Sequence, residues 1–392
     1  MTDAVTERVH RPRDRKQRIV TAAAQLFRDR GYHNVSLADV AGAVGITAPA
    51  VYRHFRNKHE LLWLAVQHGL DDLDRSVRKA ATIDEYIHVS VKAARDRHAL
   101  VALWQREARH LSAEERAALR ARVRRIAARL AGLIRADRPE LGEADAMLVV
   151  WALLSVFASF ANHRVTLPRR DYEQLLERLC RVVVGYRFVP AVTIVRTSPR
   201  TSPAMSQVAL SRREQLLTSA IRLMDERGYR SVNMGEIGAA TGIAGPSIYK
   251  HYSAKSDLLA AALSRGYEQL QAGITQALEG AGSSAQALER LLAMQVEYAM
   301  QNRSLIAILI SEQDELPEKD TARVHRAQRD VLDTWVRVLD TACPGLNHAE
   351  ARVTVNVVFA VINNLVRTPS IAARSGLAEQ LHALGMQLLT AR

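Results

Sequence analysis

The sequence predicts an all-α protein, and three observations carry that prediction. Ala, Leu, Arg and Glu dominate, and apolar residues recur three and four apart, as at Ile19, Ala22, Ala23, Leu26 and Phe27. The only strand-like run, Val192–Val195, lies in a Pro-, Ser- and Thr-rich stretch that reads as a linker. The chain also repeats itself: residues 15–65 align without a gap on 212–262, at a constant offset of 197. Identical pairs include Gly31 and Gly228, Gly45 and Gly242, Pro49 and Pro246, Tyr52 and Tyr249, His54 and His251, and Lys58 and Lys255. Glu107–Leu111 echoes Glu312–Leu316, and Val156–Ala158 echoes Val358–Ala360. Two copies are too few for a solenoid, so the chain reads as two fused halves.

The elements follow in order. Residues 1–14 form a basic arm. Residues 15–30 form an amphipathic helix that Gly31 stops, as glycine does just past a helix end. Ser36 with Asp39 three residues on makes a capping box for a short helix over about 37–44. Asn233 and Glu236 keep that chemistry in the second copy. Gly45-Ile46 makes a tight turn, with Ile46 as a buried plug. A third helix begins near Thr47 and runs to about Phe55, with Pro49 in its first turn, where a missing N–H costs nothing. Asn57 and Glu60 cap the start of a fourth. The domains are then 15–69 and 212–265 for the repeated unit, 70–188 and 266–392 for the helical remainders, and 189–211 for the linker. Each remainder should hold five or so helices. Gly132–Pro139 and Pro344-Gly345 break them ahead of two closing helices, which contain the apolar stretches 147–160 and 353–366. The longest apolar run, Met147–Phe160, is shorter than the ~18 residues of a membrane span and reads as a buried helix. No signal peptide is evident at the N-terminus.

Charge indicates the partner. The 392 residues carry 54 Lys+Arg against 41 Asp+Glu, a formal net charge of +13, which suits a polyanion. Residues 1–196 hold +12 of this and 197–392 hold +1. Two distant cysteines, Cys180 and Cys343, exclude a disulfide scaffold or a Cys-based zinc site and fit a reducing cytoplasm.

Two short helices joined by a glycine turn make a helix-turn-helix. Small residues open its second helix (Thr47, Ala48, Pro49, Ala50 in one copy; Ala244, Gly245, Pro246, Ser247 in the other) and let it enter a major groove, with Pro49 able to touch a thymine methyl. Tyr52, Arg53, His54 and Lys58, with Tyr249, Lys250, His251 and Lys255, are placed for phosphates, which position rather than specify. Arg15, and Ser36 and Asn233 at the caps, complete the expected DNA set; Phe55 reads as core. Thr47 offers a hydroxyl for capping or for DNA, which Ala244 lacks.

These motifs resemble the TetR family of bacterial repressors: Gly-Tyr, Ser-Leu-Ala-Asp-Val-Ala, Gly-Ile-Thr, Tyr-Arg-His-Phe and Lys-His-Glu-Leu-Leu in the first copy, with their counterparts in the second. The fusion resembles double-domain regulators of this type from actinobacteria, and Leu103–Arg109 resembles a mycobacterial regulator of a mammalian-cell-entry operon. The resemblance implies a transcriptional repressor bound to a double-stranded DNA operator. It also implies a pocket for a small apolar, lipid-like effector in each helical domain, and closing helices that pair as a four-helix bundle. With both pairing sets in one polypeptide, an intramolecular pseudo-dimer on an asymmetric operator is expected, and a dimer of chains is the competing outcome. The other functional reading is a DNA-binding protein without an effector pocket.

Candidate pocket residues are Trp104, Glu107, Trp151, Phe157, Asn162, Glu312, Phe359 and Asn363. The pairs Asn162-His163 and Asn363-Asn364 read equally as pocket donors or buried interhelical hydrogen bonds. Glu107 and Glu312 either line a pocket or pair with the arginine-rich helix around Arg116–Arg129. That helix is either a solvated face or an anchor for an acidic head group. No enzyme, metal or cofactor is expected. His59-Glu60-Leu61-Leu62-Trp63 has Trp where a zinc protease needs its second His. Gly280–Ala285 follows a helix rather than a strand, which excludes a dinucleotide loop.

Overall fold

The computed structural model describes residues 12–102, 110–159, 167–189, 211–243 and 245–392. Among these the secondary structure is helical and no strand occurs. The chain forms two compact units, one drawn from Met1–Lys79 and Arg95–Ile126, the other from Ala80–Ala94 and Ala127–Arg392.

The first unit carries the first helix-turn-helix. Helix α1 (Pro12–Arg30) leads through a 3₁₀ turn (Tyr32–Asn34) to α2 (Leu37–Val44), α3 (Ala48–Tyr52) and α4 (Lys58–Lys79). Ile19, Ala23 and Phe27 of α1 are buried at the spacing read from the sequence, while Ala22 and Leu26 of that stripe are half-buried; Val40 of α2, Val51 of α3 and Leu61 and Leu62 of α4 complete the core. Helices α5 (Ile83–Ala102) and α6 (Ala113–Asp137) contribute to both units.

Four expectations need correction. Helix α1 begins at Pro12, inside the expected arm. Helix α3 ends at Tyr52 rather than near Phe55, because Arg53 and His54 close it as a turn. Ile46 is half-buried, not a plug. Gly132 lies within α6, which runs on to Asp137; one glycine does not outweigh the buried stripe of Leu119, Ile126, Leu130 and Ile134.

The second unit holds α7 (Glu143–Ala158) and α8 (Arg169–Val184) of the first half, and everything described of the second: α9 (Arg212–Arg227), α10 (Met234–Ala239), α11 (Gly245–Ile248), α12 (Lys255–Glu279), α13 (Ser284–Gln301), α14 (Arg303–Ser311), α15 (Glu318–Ala342), α16 (His348–Arg367), α17 (Pro369–Ala372) and α18 (Leu377–Leu389). The α15–α16 break falls at the predicted Pro344-Gly345.

Helix α7 packs along α16, and α18 packs against α8 and α16, so closing helices of both halves share one core. Val149, Val150 and Leu153 meet the same solvent exclusion as Val355, Val358 and Ile362. Polar contacts join the halves at the rim. The buried Tyr186 hydroxyl donates to Gln380 Oε1 at 2.6 Å, and Gln380 Nε2 donates to the Val189 carbonyl at 2.7 Å. Burial pushes the Tyr186 phenol up to about 12. Arg374 pairs with Asp145, and Arg178 lies 3.6 Å from Glu350. Helix α16 has the length and apolarity of a membrane span, but most of its apolar stretch is buried inside the protein.

Candidate nucleic-acid interface

Local chemistry sets each helix-turn-helix. Ser36 Oγ accepts from the Asp39 N–H at 3.1 Å while the Asp39 carboxylate accepts from the Ser36 N–H at 2.7 Å. These hydrogen bonds from Ser36 hold Asp39 below the ordinary carboxylate range. Asn233 and Glu236 form the same box at 2.9 Å in both directions. The turn then needs a left-handed residue, and Gly45 and Gly242 supply it at φ 70° each. Val51 and Phe55 sink into the first core, and Ile248 and Tyr252 into the second. A cation covers each aromatic: Lys16 Nζ lies 5.5 Å from the Phe55 ring, and the Arg213 guanidinium 4.2 Å from Tyr252.

With those side chains inward, the rest of the short helix turns out. Tyr52 is 59% exposed and Tyr249 56%. Pro49 and Arg53 are exposed; Ala48, Ala50 and His54 are half-buried. In the second copy Lys250 is exposed and Ser247 and His251 are half-buried, while Gly245 and Pro246 open α11. Thr47 is the cap residue of α3, but its hydroxyl makes no capping bond and the side chain is exposed, which removes the capping alternative. Arg15 is exposed on α1. Tyr52, Ser36, Arg56, Asn57 and Lys58 share an open cleft of about 450 Å³ at the foot of α3.

The two lysines are placed differently from the expectation. Lys58 Nζ donates to the carbonyls of Tyr32, His33 and Val35 at 2.8, 3.3 and 2.9 Å, and lies 4.5 Å from the Tyr32 ring. Lys255 repeats this on Tyr229, Arg230 and Val232 at 2.7, 3.5 and 2.7 Å. Burial lowers the Lys255 ammonium below its ordinary pKa. Each lysine ties the start of one helix to the 3₁₀ turn, because an ammonium has three donors and the turn leaves three carbonyls facing it. Lys58→Met should therefore cost about 2 kcal/mol, the scale of hydrogen bonds to a charged group, and leave the salt dependence of DNA binding nearly unchanged. Urea unfolding and anisotropy titrations at several salt concentrations check both halves of that statement.

The expected pocket residues do not come together among the described residues. Trp104, Glu107 and Asn162, with the Leu103–Arg109 segment and His163, lie outside them. Phe157 packs edge-on against Tyr86 at 6.2 Å, and Phe359 edge-on against Trp335 at 5.1 Å. Trp151 Nε1 and Asn363 Oδ1 are buried without a hydrogen-bond partner. Glu312 is buried but accepts from the Tyr229 N–H at 3.3 Å. It thus fastens the second helix-turn-helix to α14 rather than lining a pocket or pairing with an arginine-rich helix. Beside it Glu315 pairs with Arg230 at 2.8 Å; in the first half the joint is His33 against His110 at 3.3 Å.

Sequence reasoning also missed a brace between α4 and α6. His59 Nε2 lies 2.9 Å from Glu115, and Arg122 pairs with Asp71. Within α6, Arg120, Arg124 and Arg125 are exposed.

Comparison with known proteins fits this geometry. The family model for bacterial regulatory proteins of the tetR family matches residues 19–63 and again 216–262, and the tetracyclin repressor-like C-terminal domain matches 80–186. Among curated relatives, the HTH-type transcriptional activator FasR of Mycolicibacterium smegmatis is 39% identical over 70 residues, 18% of this chain and 32% of that protein. The HTH-type transcriptional repressor KstR2 of Rhodococcus jostii is 32% identical over 110 residues, 26% of this chain and 54% of its own length. The chain therefore spans between a third and about half of these relatives. A tetR-family regulator from Rhodococcus matches 47% of this chain and 100% of its own, at 17% identity and TM-score 0.42. Two such helix-turn-helix units and one such C-terminal domain account for just over half of the residues, and the chain belongs to the tetR family of DNA-binding transcriptional regulators.

Proposed function

We propose that this regulator reads DNA as a pseudo-dimer made by one polypeptide, with two unlike readers on an asymmetric operator. The observation that carries the reading is the packing of α7 from the first half along α16 from the second, with α8 and α18 beside them. The Tyr186–Gln380–Val189 hydrogen bonds support it at the rim. Ordinary pairing of two chains would use the same surfaces, and a tether raises the effective concentration of the intramolecular partner to about the mM range.

In this reading Thr47, Ala48, Pro49 and Ala50 face bases, and Tyr52, Arg53, His54 and Arg15 hold phosphates. Gly245, Pro246 and Ser247, with Tyr249, Lys250 and His251, do so for a different half-site. Ser36 and Asn233 aim the N-termini of α2 and α10. Repression is favoured over activation because the relative with the longer match is named a repressor. Release by a small apolar effector completes the reading, and the buried, unpartnered Trp151 Nε1 and Asn363 Oδ1 would orient it.

Light scattering should give the mass of one chain, and footprinting should give half-sites that are not inverted copies. A mass of two chains on a perfect palindrome would overturn the reading.

A further inference from the structure

The duplication permits a comparison of the two halves at the same place. Helices α6 and α15 correspond at a constant offset of 205, so Leu119, Ile126, Leu130 and Ile134 answer to Val324, Val331, Trp335 and Leu339, all buried. Their outer faces have diverged in charge. From Arg116 to Ala136, α6 holds seven arginines and no acid; the same stretch of α15, Thr321 to Thr341, holds four arginines and three aspartates. That difference of six charges is more than half of the gap between the +12 of the first half and the +1 of the second. Arg122 is spent on Asp71 and Arg116 on the Leu111 carbonyl. Arg120, Arg124 and Arg125 are exposed and hold no ion pair or hydrogen bond among the described residues. Their counterparts are His325, Arg329 and Asp330. At about 3.6 residues per turn, Arg120 and Arg124 line one edge of the exposed face and Arg125 the other, with Ala117, Ala121 and Ala128 between them. This face is continuous with the first reader. Glu115, in the first turn of α6, lies 2.9 Å from His59, and His59 follows Asn57 and Lys58, which share the cleft of Tyr52 at the foot of α3. The three arginines stand about 7 to 15 Å beyond Glu115 along the helix, in the same compact unit as that reader.

We propose that the outer face of α6 holds the phosphate backbone of the double-stranded DNA flanking the first half-site, a contact that the second half lacks. Charge decides the partner: three unpaired guanidinium groups with no acid among them suit a polyanion, and the reader in the same unit brings one alongside. The alanines keep the middle of the face low, so a backbone can lie across it while guanidinium groups close from both edges. The contact reads no sequence, because phosphates position rather than specify. It gives the bound protein a direction on DNA, with one end reaching past its half-site and the other stopping at it. The proposal rests on the DNA reading above and adds a surface outside both helix-turn-helix units.

The test is fluorescence anisotropy on the full chain with three duplexes. One is the footprinted operator trimmed to its two half-sites; the others add about 10 bp, one helical turn, beyond one half-site or beyond the other. The first half-site is the one that an Arg53→Ser chain fails to protect. At about 50 mM salt the extension on the first side should tighten binding about tenfold more than the extension on the second, and should steepen the salt slope by about 2–3, near 0.9 per phosphate. The second extension reads the gain that any longer duplex brings. Changing Arg120, Arg124 and Arg125 together to Ala should erase the difference and leave affinity for the trimmed operator unchanged. Changing all three to Lys should keep most of it, since the charge is retained; its loss there would make the arginines structural and overturn the proposal. Equal gain from the two extensions, or a difference that survives the triple alanine variant, also overturns it. So does a titration endpoint of two duplexes per chain, which would give the face to a second DNA. Failure of the parent chain to bind the trimmed operator would instead overturn the DNA reading, and this contact with it.

Discussion

Trp335→Ala should lower the unfolding free energy by about 3–5 kcal/mol, the range for removing a large aromatic from a packed core. Trp335 is fully buried on α15 and meets the edge of Phe359 on α16, the helix that carries the contact with α7. Truncation leaves a void bounded by two helices that cannot both close on it, since α16 is also held from its other side. Leu130 occupies the corresponding place in α6 and is equally buried, so Leu130→Ala should cost about 2–5 kcal/mol. Denaturant unfolding of both variants gives the comparison. A Trp335→Ala protein with the parent midpoint would mean that α15 does not anchor this core.

Removing Arg15, Arg18, Arg53 and Arg56 together, as Ser, should reduce the slope of log affinity against log salt by about 3–4, near 0.9 per phosphate released. The same four positions in the second reader are Arg212, Gln215, Lys250 and Ser253, two of them already neutral. The matching change there, Arg212→Ser with Lys250→Ser, should reduce the slope by no more than about 2. All four first-reader arginines are exposed, and Arg56 shares the cleft of Tyr52 and Ser36. Anisotropy titrations on one operator duplex over a range of salt concentrations measure both slopes. An unchanged slope in the four-arginine variant would put the DNA on another surface.

Much of the helix-turn-helix was legible because its rules are local. A capping box spans four residues, a left-handed glycine one, and a helical stripe a few turns. Ser36, Gly45 and Phe55 needed nothing from further along the chain. Lys58 was misplaced because its partners are carbonyls more than twenty residues away, and a lysine beside a recognition helix looks the same in sequence whether it faces phosphate or backbone. Glu312 was misread for the same reason: an acid flanked by apolar residues does not announce that a distant N–H, that of Tyr229, will face it. The brace of Arg122 on Asp71 required knowing which faces of two helices meet. Gly132 was over-read, since a helix twenty-five residues long absorbs one weak position.

The partnership of α7 with α16 also sets a timetable for synthesis. A ribosome adding roughly 5–20 residues per second needs on the order of 10–40 s for the about 190 residues between Ala158 and His348. Throughout that interval Val149, Val150 and Leu153 have been made and their cover has not. The first reader, drawn from one contiguous stretch, can fold at once; the apolar face behind it must wait. On a crowded polysome that face can meet an α16 emerging from a neighbouring chain. Slowing the ribosome between the two segments should therefore raise the yield of interlocked chains, and speeding it should favour solitary ones.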